Sequence, residues 1–190
     1  MNKHDVSFFF PAPVKQNFCT QCGSKLSRII PPEDNMPRDT CLECGAVHYR
    51  NPLLVVGAIP VYQNKILLCK RAIEPRYDTW TFPAGFMELA ESSEAGAKRE
   101  TLEEAGALVE IGDLFTIIDV PSANQVHLYY LAEALDDHLD PGIESLEAAY
   151  FDIKDIPWDN LAFRSIKTTL EHYVRALDTG YYGPFNYILE

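Results

Sequence analysis

Basic residues are scarce in this chain: 16 lysines and arginines stand against 28 aspartates and glutamates, a formal charge of −12. That shortage argues against a nucleic-acid partner held through its phosphates. Long apolar runs are also missing. The longest, Leu53 to Val61, is too short to span a bilayer, so no membrane is expected. The opening MNKHDVSFFFPAPVK holds three phenylalanines, but Pro11 and Pro13 interrupt them and no cleavage site follows. This argues against secretion and points to a cytoplasmic protein. Repeats and low-complexity tracts are absent. What is present is ordinary for a globular chain, with 47% hydrophobic and 12% aromatic residues in 190. That length can bury one core and carry a small appendage. The acidity has a chemical corollary: a phosphate-ester ligand would be repelled unless bound divalent cations intervened.

Cysteine is sparse too, but four of the five occur as two pairs, Cys19-Thr20-Gln21-Cys22 and Cys41-Leu42-Glu43-Cys44. Eighteen residues separate the pairs, a spacing expected of four thiolates around Zn²⁺. Gly23 and Gly45 follow the pairs and suit the tight turn that aims two sulfurs at one metal. A disulfide and a redox-active CxxC are the competing readings. A cytosolic chain disfavours the first, and the duplication exceeds what the second needs. With zinc bound to four thiolates the charge becomes −12 − 4 + 2 = −14. Cys69, inside ILLCK, reads as a small buried side chain. His48, His127 and His172 read as structural, because four cysteines complete the zinc sphere.

Asn51-Pro52 divides the chain. Residues 1–50 form the N-terminal segment and zinc ribbon, with PPEDNMPRD as the loop between its two cysteine turns; residues 51–190 form the larger domain. LLVVGAIPVY and KILLCKR flank Gln63-Asn64 as a hairpin, and Trp80 to Phe82 forms a short strand. A loop carries Gly85 to Glu91. Ser92 or Ser93 caps a helix that ends near Ala105, with Gly106 suited to terminate it. Further strands are expected over 107–134 and 148–153, and a helix over Ser165–Leu177. Tyr129 and Tyr130 should point to opposite faces of a strand, one inward and one outward. The fold class is α+β: a mixed sheet flanked by helices, preceded by a zinc ribbon.

On the first helix Glu100, Glu103 and Glu104 stand at i, i+3 and i+4 and share a face. Three such charges repel one another in metal-free water, and a hard divalent cation reverses the sign. Arg99 lies four residues before Glu103 and within reach of Glu91, where it can clamp the assembly. A solvated acidic face is the plain alternative.

The stretch GFMELAESSEAGAKRETLEEAGA fits G-x5-E-x7-R-E-U-x-E-E-x-G-U, where U is aliphatic, through Gly85, Glu91, Arg99, Glu100, Glu103, Glu104 and Gly106. It resembles the signature of the Nudix hydrolases. Thr101 and Ala107 depart at aliphatic positions, and Ala90 replaces a frequent glycine. A zinc ribbon joined to such a domain is similar to the NADH pyrophosphatase branch. CGAVHYRNPLLVVG, ILLCKR, WTFPAGFMELAES and ESLEAAYFDIKDIP resemble the plant plastid-type FAD and ADP-ribose pyrophosphatase and its bacterial relatives. The SQPWPFPxS motif of the NADH branch is missing, and Pro121 follows Gly106 by fifteen residues, as in many ADP-ribose pyrophosphatases.

The resemblance implies hydrolysis of the pyrophosphate bond in ADP-ribose or FAD by a Mg²⁺- or Mn²⁺-dependent enzyme. It implies Ala84 (through its carbonyl), Glu100 and Glu104 as metal ligands, with Glu103 as ligand or base and Glu91 and Arg99 in the catalytic set. A glutamate outside the signature is expected as base, and Glu144 and Glu147 are the candidates. A homodimer is expected, with the aromatic tail GYYGPFNYIL as surface to bury. NADH or NAD-capped RNA as substrate, and a non-catalytic nucleotide or RNA reader built on the ribbon, are the alternatives.

Overall fold

The computed structural model describes residues 15–190. The reading of the opening residues as free of an export signal lies outside them. Among the described residues no helix is long and apolar enough to cross a membrane. The chain divides into two units between Asn51 and Pro52.

The first unit is an antiparallel sheet of β1 (Leu26–Ile29), β2 (Arg38–Cys41) and β3 (Val47–His48), in that order. Two turns of the same form serve it, one before β1 and one between β2 and β3. The Gly23 N–H donates to the Cys19 carbonyl at 2.9 Å and the Gly45 N–H to the Cys41 carbonyl at 3.0 Å. Both glycines sit at positive φ, 75° and 76°, a conformation that a Cβ disfavours. Asp39, buried on the middle strand, takes ion pairs from Arg28 at 3.3 Å and Arg50 at 3.2 Å.

The second unit begins with the expected hairpin: β4 (Leu53–Tyr62) and β5 (Lys65–Arg71) are joined by Gln63 and Asn64. Both turn residues have positive φ, as the tightest hairpin turns demand. There follow β6 (Trp80–Thr81), β7 (Ala84–Phe86), α1 (Ser93–Ala105), β8 (Val109–Val120), β9 (Gln125–Ala134), β10 (Ser145–Phe151), α2 (Arg164–Thr179) and β11 (Phe185–Ile188). The sheet order is β10-β5-β4-β9-β8-β11, with β6 beside β5 and β7 beside β4. It is mixed, since β4/β9 and β8/β11 are parallel and the other pairs antiparallel.

Alternation along β4 sorts the core. Ile59 joins Phe82, Phe115 and Tyr129 under Ile166, Leu170 and Tyr173 of α2. Val56 and Ala58 point the other way and pack with Ala97 of α1 and Tyr130. Each helix therefore covers its own face.

Several expectations change. Tyr129 and Tyr130 do face opposite ways, but both are buried, because β9 is a central strand covered on both sides. Gly85 and Phe86 lie in β7 rather than in a loop, paired with Val56 and Val55. The strand expected at 148–153 starts earlier, at Ser145. The tail contributes β11 to the sheet edge, with Phe185 packed edge-on to Phe115 and stacked on His172. Part of its apolar surface is thus used within the chain, while Tyr181 and Ile188 stay exposed.

Candidate active site

The site is built on α1. Ser92 caps its N-terminus by accepting the Ala95 N–H at 3.2 Å, and Gly106, at φ 68°, ends it. One face of the helix is small: Gly96, Ala97, Thr101 and Ala105 are buried. A Cβ on Gly96 would come within 2.8 Å of Val56 Cγ2, so glycine lets the helix lie close on β4. Thr101 fills the expected aliphatic position without an unmet polar group, since its hydroxyl donates to the Ala97 carbonyl at 2.8 Å.

The next face carries the carboxylates and meets β7. A Cβ on Gly85 would sit 2.5 Å from Glu100 Cδ, which is the physical reason for glycine there. Glu104 Oε2 accepts the Ala84 N–H at 3.3 Å. Glu100 and Glu104 therefore both lie against the Ala84–Gly85 backbone and are both buried, whereas Glu103 is exposed.

Arg99 organises the rim. It grips Glu91 with two nitrogens, Nε at 3.1 Å and Nη2 at 2.9 Å. It also donates to Glu100 at 2.8 Å, Glu103 at 2.9 Å and the Phe86 carbonyl at 3.2 Å. Glu91 also takes the Glu88 N–H at 2.7 Å, so its carboxyl is pulled down to about 2, first by Arg99 and then by that amide. Ala90 precedes it with φ 67°, the left-handed region that the frequent glycine would adopt freely.

The inner carboxyls shift the opposite way. Burial, outweighing Arg99, raises Glu100. Burial, reinforced by Glu100, pushes Glu104 up to about 8. Among the described residues Glu104 has no ion pair. With all four carboxyls ionised, as a bound cation would make them, one guanidinium leaves the cluster three charges negative, a donor set suited to a hard divalent cation.

A pH dependence follows. A carboxyl raised from 4.5 to about 8 in the folded state adds stability that is full below pH 4.5 and lost as pH rises through 8. Glu100 adds to this with the same sign, and Glu91 acts only below 4.5. In buffer without added divalent cation the melting temperature of the second unit should fall from pH 5.5 to 8.5, by on the order of a few kcal/mol of stability. Added Mg²⁺ should flatten that fall. A melting temperature that rises over this range would contradict the reading of the cluster.

The two outlying glutamates separate. The Glu144 charge acts on Glu100, Glu104 and Arg71, and its carbonyl accepts the Ala72 N–H at 2.8 Å. Glu147 lies on β10, paired in register with Lys70 of the neighbouring β5, and acts on that lysine. In the sequence Arg71 only closes the ILLCKR stretch and has no assigned role, yet its charge reaches Glu104 and Glu144. A shallow depression lined by Gln63, Glu110, Ile111, Glu133, Tyr173 and Tyr182 contains none of these groups.

In the first unit the four sulfurs of Cys19, Cys22, Cys41 and Cys44 lie within 4.8 Å of one another. Cys19–Cys44 and Cys22–Cys41 are 3.6 and 3.5 Å apart. Ligands about 2.3 Å from one tetrahedral ion stand roughly 3.8 Å apart, so the cluster fits Zn²⁺. Hydrogen bonds from Ser24 bring the Cys22 thiol down to about 6, while Cys44, despite a backbone hydrogen bond at Ala46, is pushed up to about 12 by the other three cysteines, a crowding of sulfurs that a bound cation would relieve. His48 is no ligand in this set, but its Nε2 lies 3.4 Å from Cys19 Sγ, where an N–H would orient the thiolate.

Residues 51–171 match the family model described as the NUDIX domain. The chain belongs to the Nudix hydrolase family. Residues 17–50 match the Nudix N-terminal zinc-ribbon model, which assigns the four-cysteine unit and supports structural zinc. A crystal structure of a NUDIX hydrolase from Nitrosomonas europaea is 45% identical, with a TM-score of 0.88, over 92% of this chain and 99% of that one. An ADP-ribose pyrophosphatase from Methanocaldococcus jannaschii is 29% identical over 131 residues, 67% of this chain and 76% of the relative. The NAD-capped RNA hydrolase NudC of Vibrio atlanticus is 29% identical over 147 residues, 74% of this chain, which spans about half (51%) of that protein. This Nudix hydrolase thus carries the family's carboxylate helix on a sheet that buries two of its glutamates.

Proposed function

We propose that this Nudix hydrolase cleaves the diphosphate of ADP-ribose or FAD, releasing AMP with ribose 5-phosphate or FMN, in a Mg²⁺- or Mn²⁺-dependent reaction. The observation that carries the reading is Glu104, a buried carboxyl with no ion pair among the described residues, beside a second buried carboxyl. Such a pair is costly unless cations neutralise it, and a diphosphate needs the same cations.

Glu100, Glu104 and the Ala84 carbonyl would hold the metal, with Glu103 as a further ligand or base. Bound there, it supplies charge neutralisation of the diphosphate and a lowered pKa for water. The chain's own residues do the rest. Arg99, locked by Glu91, holds Glu100 and Glu103 in one orientation, so little reorganisation is needed when the substrate arrives. Glu144 is the better placed of the two outlying glutamates to take a proton from water, because its field reaches both buried carboxylates while that of Glu147 falls on Lys70.

The choice of ADP-ribose or FAD draws on the archaeal pyrophosphatase, the missing NADH-branch motif and Pro121. NADH or NAD-capped RNA is the second reading, favoured by the NudC match. A panel of ADP-ribose, FAD, NADH and an NAD-capped oligonucleotide, with and without Mg²⁺, decides between them. AMP released fastest from ADP-ribose or FAD is expected. Strong preference for NADH or the capped oligonucleotide would overturn the substrate, and turnover without metal would overturn the mechanism. We further take the enzyme to be a cytoplasmic homodimer; a mass of one chain, 21.5 kDa, in light scattering would refute the dimer.

A further inference from the structure

Among the described residues one buried side-chain polar atom has no hydrogen-bond partner, His172 Nδ1. His172 lies on α2, far from the carboxylate helix in the chain, and is buried to 6% exposure. The rings packed on it come from β11. Phe185 stacks on the imidazole with 4.4 Å between centroids and 30° between planes, and Tyr187 tilts against it at 4.8 Å and 52°. Whichever nitrogen carries the proton, Nδ1 goes unmatched: as an acceptor it meets no donor, and as an N–H it meets no acceptor.

The element above this ring is a weakly held one. β11 has four residues, lies at the outer edge of the sheet against β8, and leaves Asn186, Tyr187 and Ile188 exposed. Short exposed edge elements open locally at low free energy. Beyond the ladder with β8 it is held by the Leu189 N–H, which donates to the Asp119 carbonyl at 2.8 Å, and by Arg164, which donates to the Glu190 carbonyl at 2.8 Å. None of these contacts reaches Nδ1.

We propose that β11 is a proton-released strap, docked over the neutral His172 ring and freed from the β8 edge when that ring takes up a proton. A proton on the covered ring would place a charge and an N–H without an acceptor in a buried site. Stacked aromatic faces attract a cation, but weakly beside that cost. Burial first and Arg175 second disfavour the protonated ring, and Glu171 alone opposes them. β11 brings Tyr187 as its one ionisable side chain, and β8 beneath it brings Asp119, in register with Ile188. An imidazole lowered in the docked state adds docking stability that is full above about 6.5 and lost as pH falls below it. The strap therefore closes the β8 edge at neutral pH and uncovers it in acid.

The test is hydrogen exchange on the whole chain at pH 7.5 and 5.0, corrected for intrinsic rates, with the Leu189 amide as reporter and β9 amides as the measure of the whole domain. Protection at Leu189 should fall about fivefold or more toward pH 5.0, with a ceiling of about thirtyfold set by an ordinary imidazole in the released strap. Protection in β9 should not follow. His172→Phe keeps a ring for the stack and removes both nitrogens, so its Leu189 protection should stay within about twofold. A smaller fall in wild type, an equal fall in β9, or an equal fall in His172→Phe would overturn the inference. Should His172→Phe not fold, titration of the wild-type imidazole by NMR decides: a midpoint below about 6.5 is expected, and one at or above it would overturn the inference.

Discussion

Glu104→Gln is expected to lower turnover a hundredfold or more while leaving the protein folded. Glutamine matches the size of the side chain and keeps an oxygen to accept the Ala84 N–H, so the contact between α1 and β7 survives. What disappears is the charge. A hundredfold is about 2.7 kcal/mol of barrier, within the several kcal/mol that a well-held metal contributes. The same substitution removes a carboxyl whose burial pushes its pKa up to about 8, so in metal-free buffer at pH 8 the variant should melt above wild type. Lost turnover with raised thermal stability distinguishes a missing ligand from a damaged fold. Unchanged turnover would refute the role of Glu104.

Cys41→Ser is expected to unfold the ribbon and leave the second unit intact. The first unit has few buried apolar side chains: Cys19 and Cys41 are among its most buried residues, beside Asp39 and Thr40. A module this small has little apolar core, and structural zinc supplies roughly 10–16 kcal/mol of apparent binding energy to folding. Hydrogen exchange should show residues 17–50 losing protection while β4, β8 and β9 retain theirs. Elemental analysis should drop from about one zinc per chain to a small fraction of that. A protected ribbon in the variant, or wild-type protein without zinc, would contradict the assignment.

Local periodicity explains what could be read in advance. The Glu100/Glu103/Glu104 face and the reach of Arg99 to Glu103 follow from the pitch of one helix, and the Ser92 and Gly106 ends from capping chemistry. The hairpin at Gln63-Asn64 and the two cysteine turns are likewise short-range. In each, the groups that interact are only a few residues apart, so residue type and spacing suffice.

What the amino-acid order determined by itself was therefore the chemistry of the donor sets: four thiolates for a soft ion, and a ladder of carboxylates for a hard one. Only the tertiary structure decided how those sets are used. Gly85 approaches Glu100 because β7 pairs with β4, and that pairing buries Glu100 and Glu104 and raises their proton affinity. The alternation of β10 and its bulge between Ser145 and Glu147 separate Glu144 from Glu147, although three residues part them in the chain. The tail becomes β11 because β8 leaves an open edge, and Tyr130 is buried because α1 covers the face it points to. The charges of Arg71 and Glu104 act on each other across about thirty residues of chain. Burial and long-range electrostatics depend on sheet order and register, which local spacing does not encode.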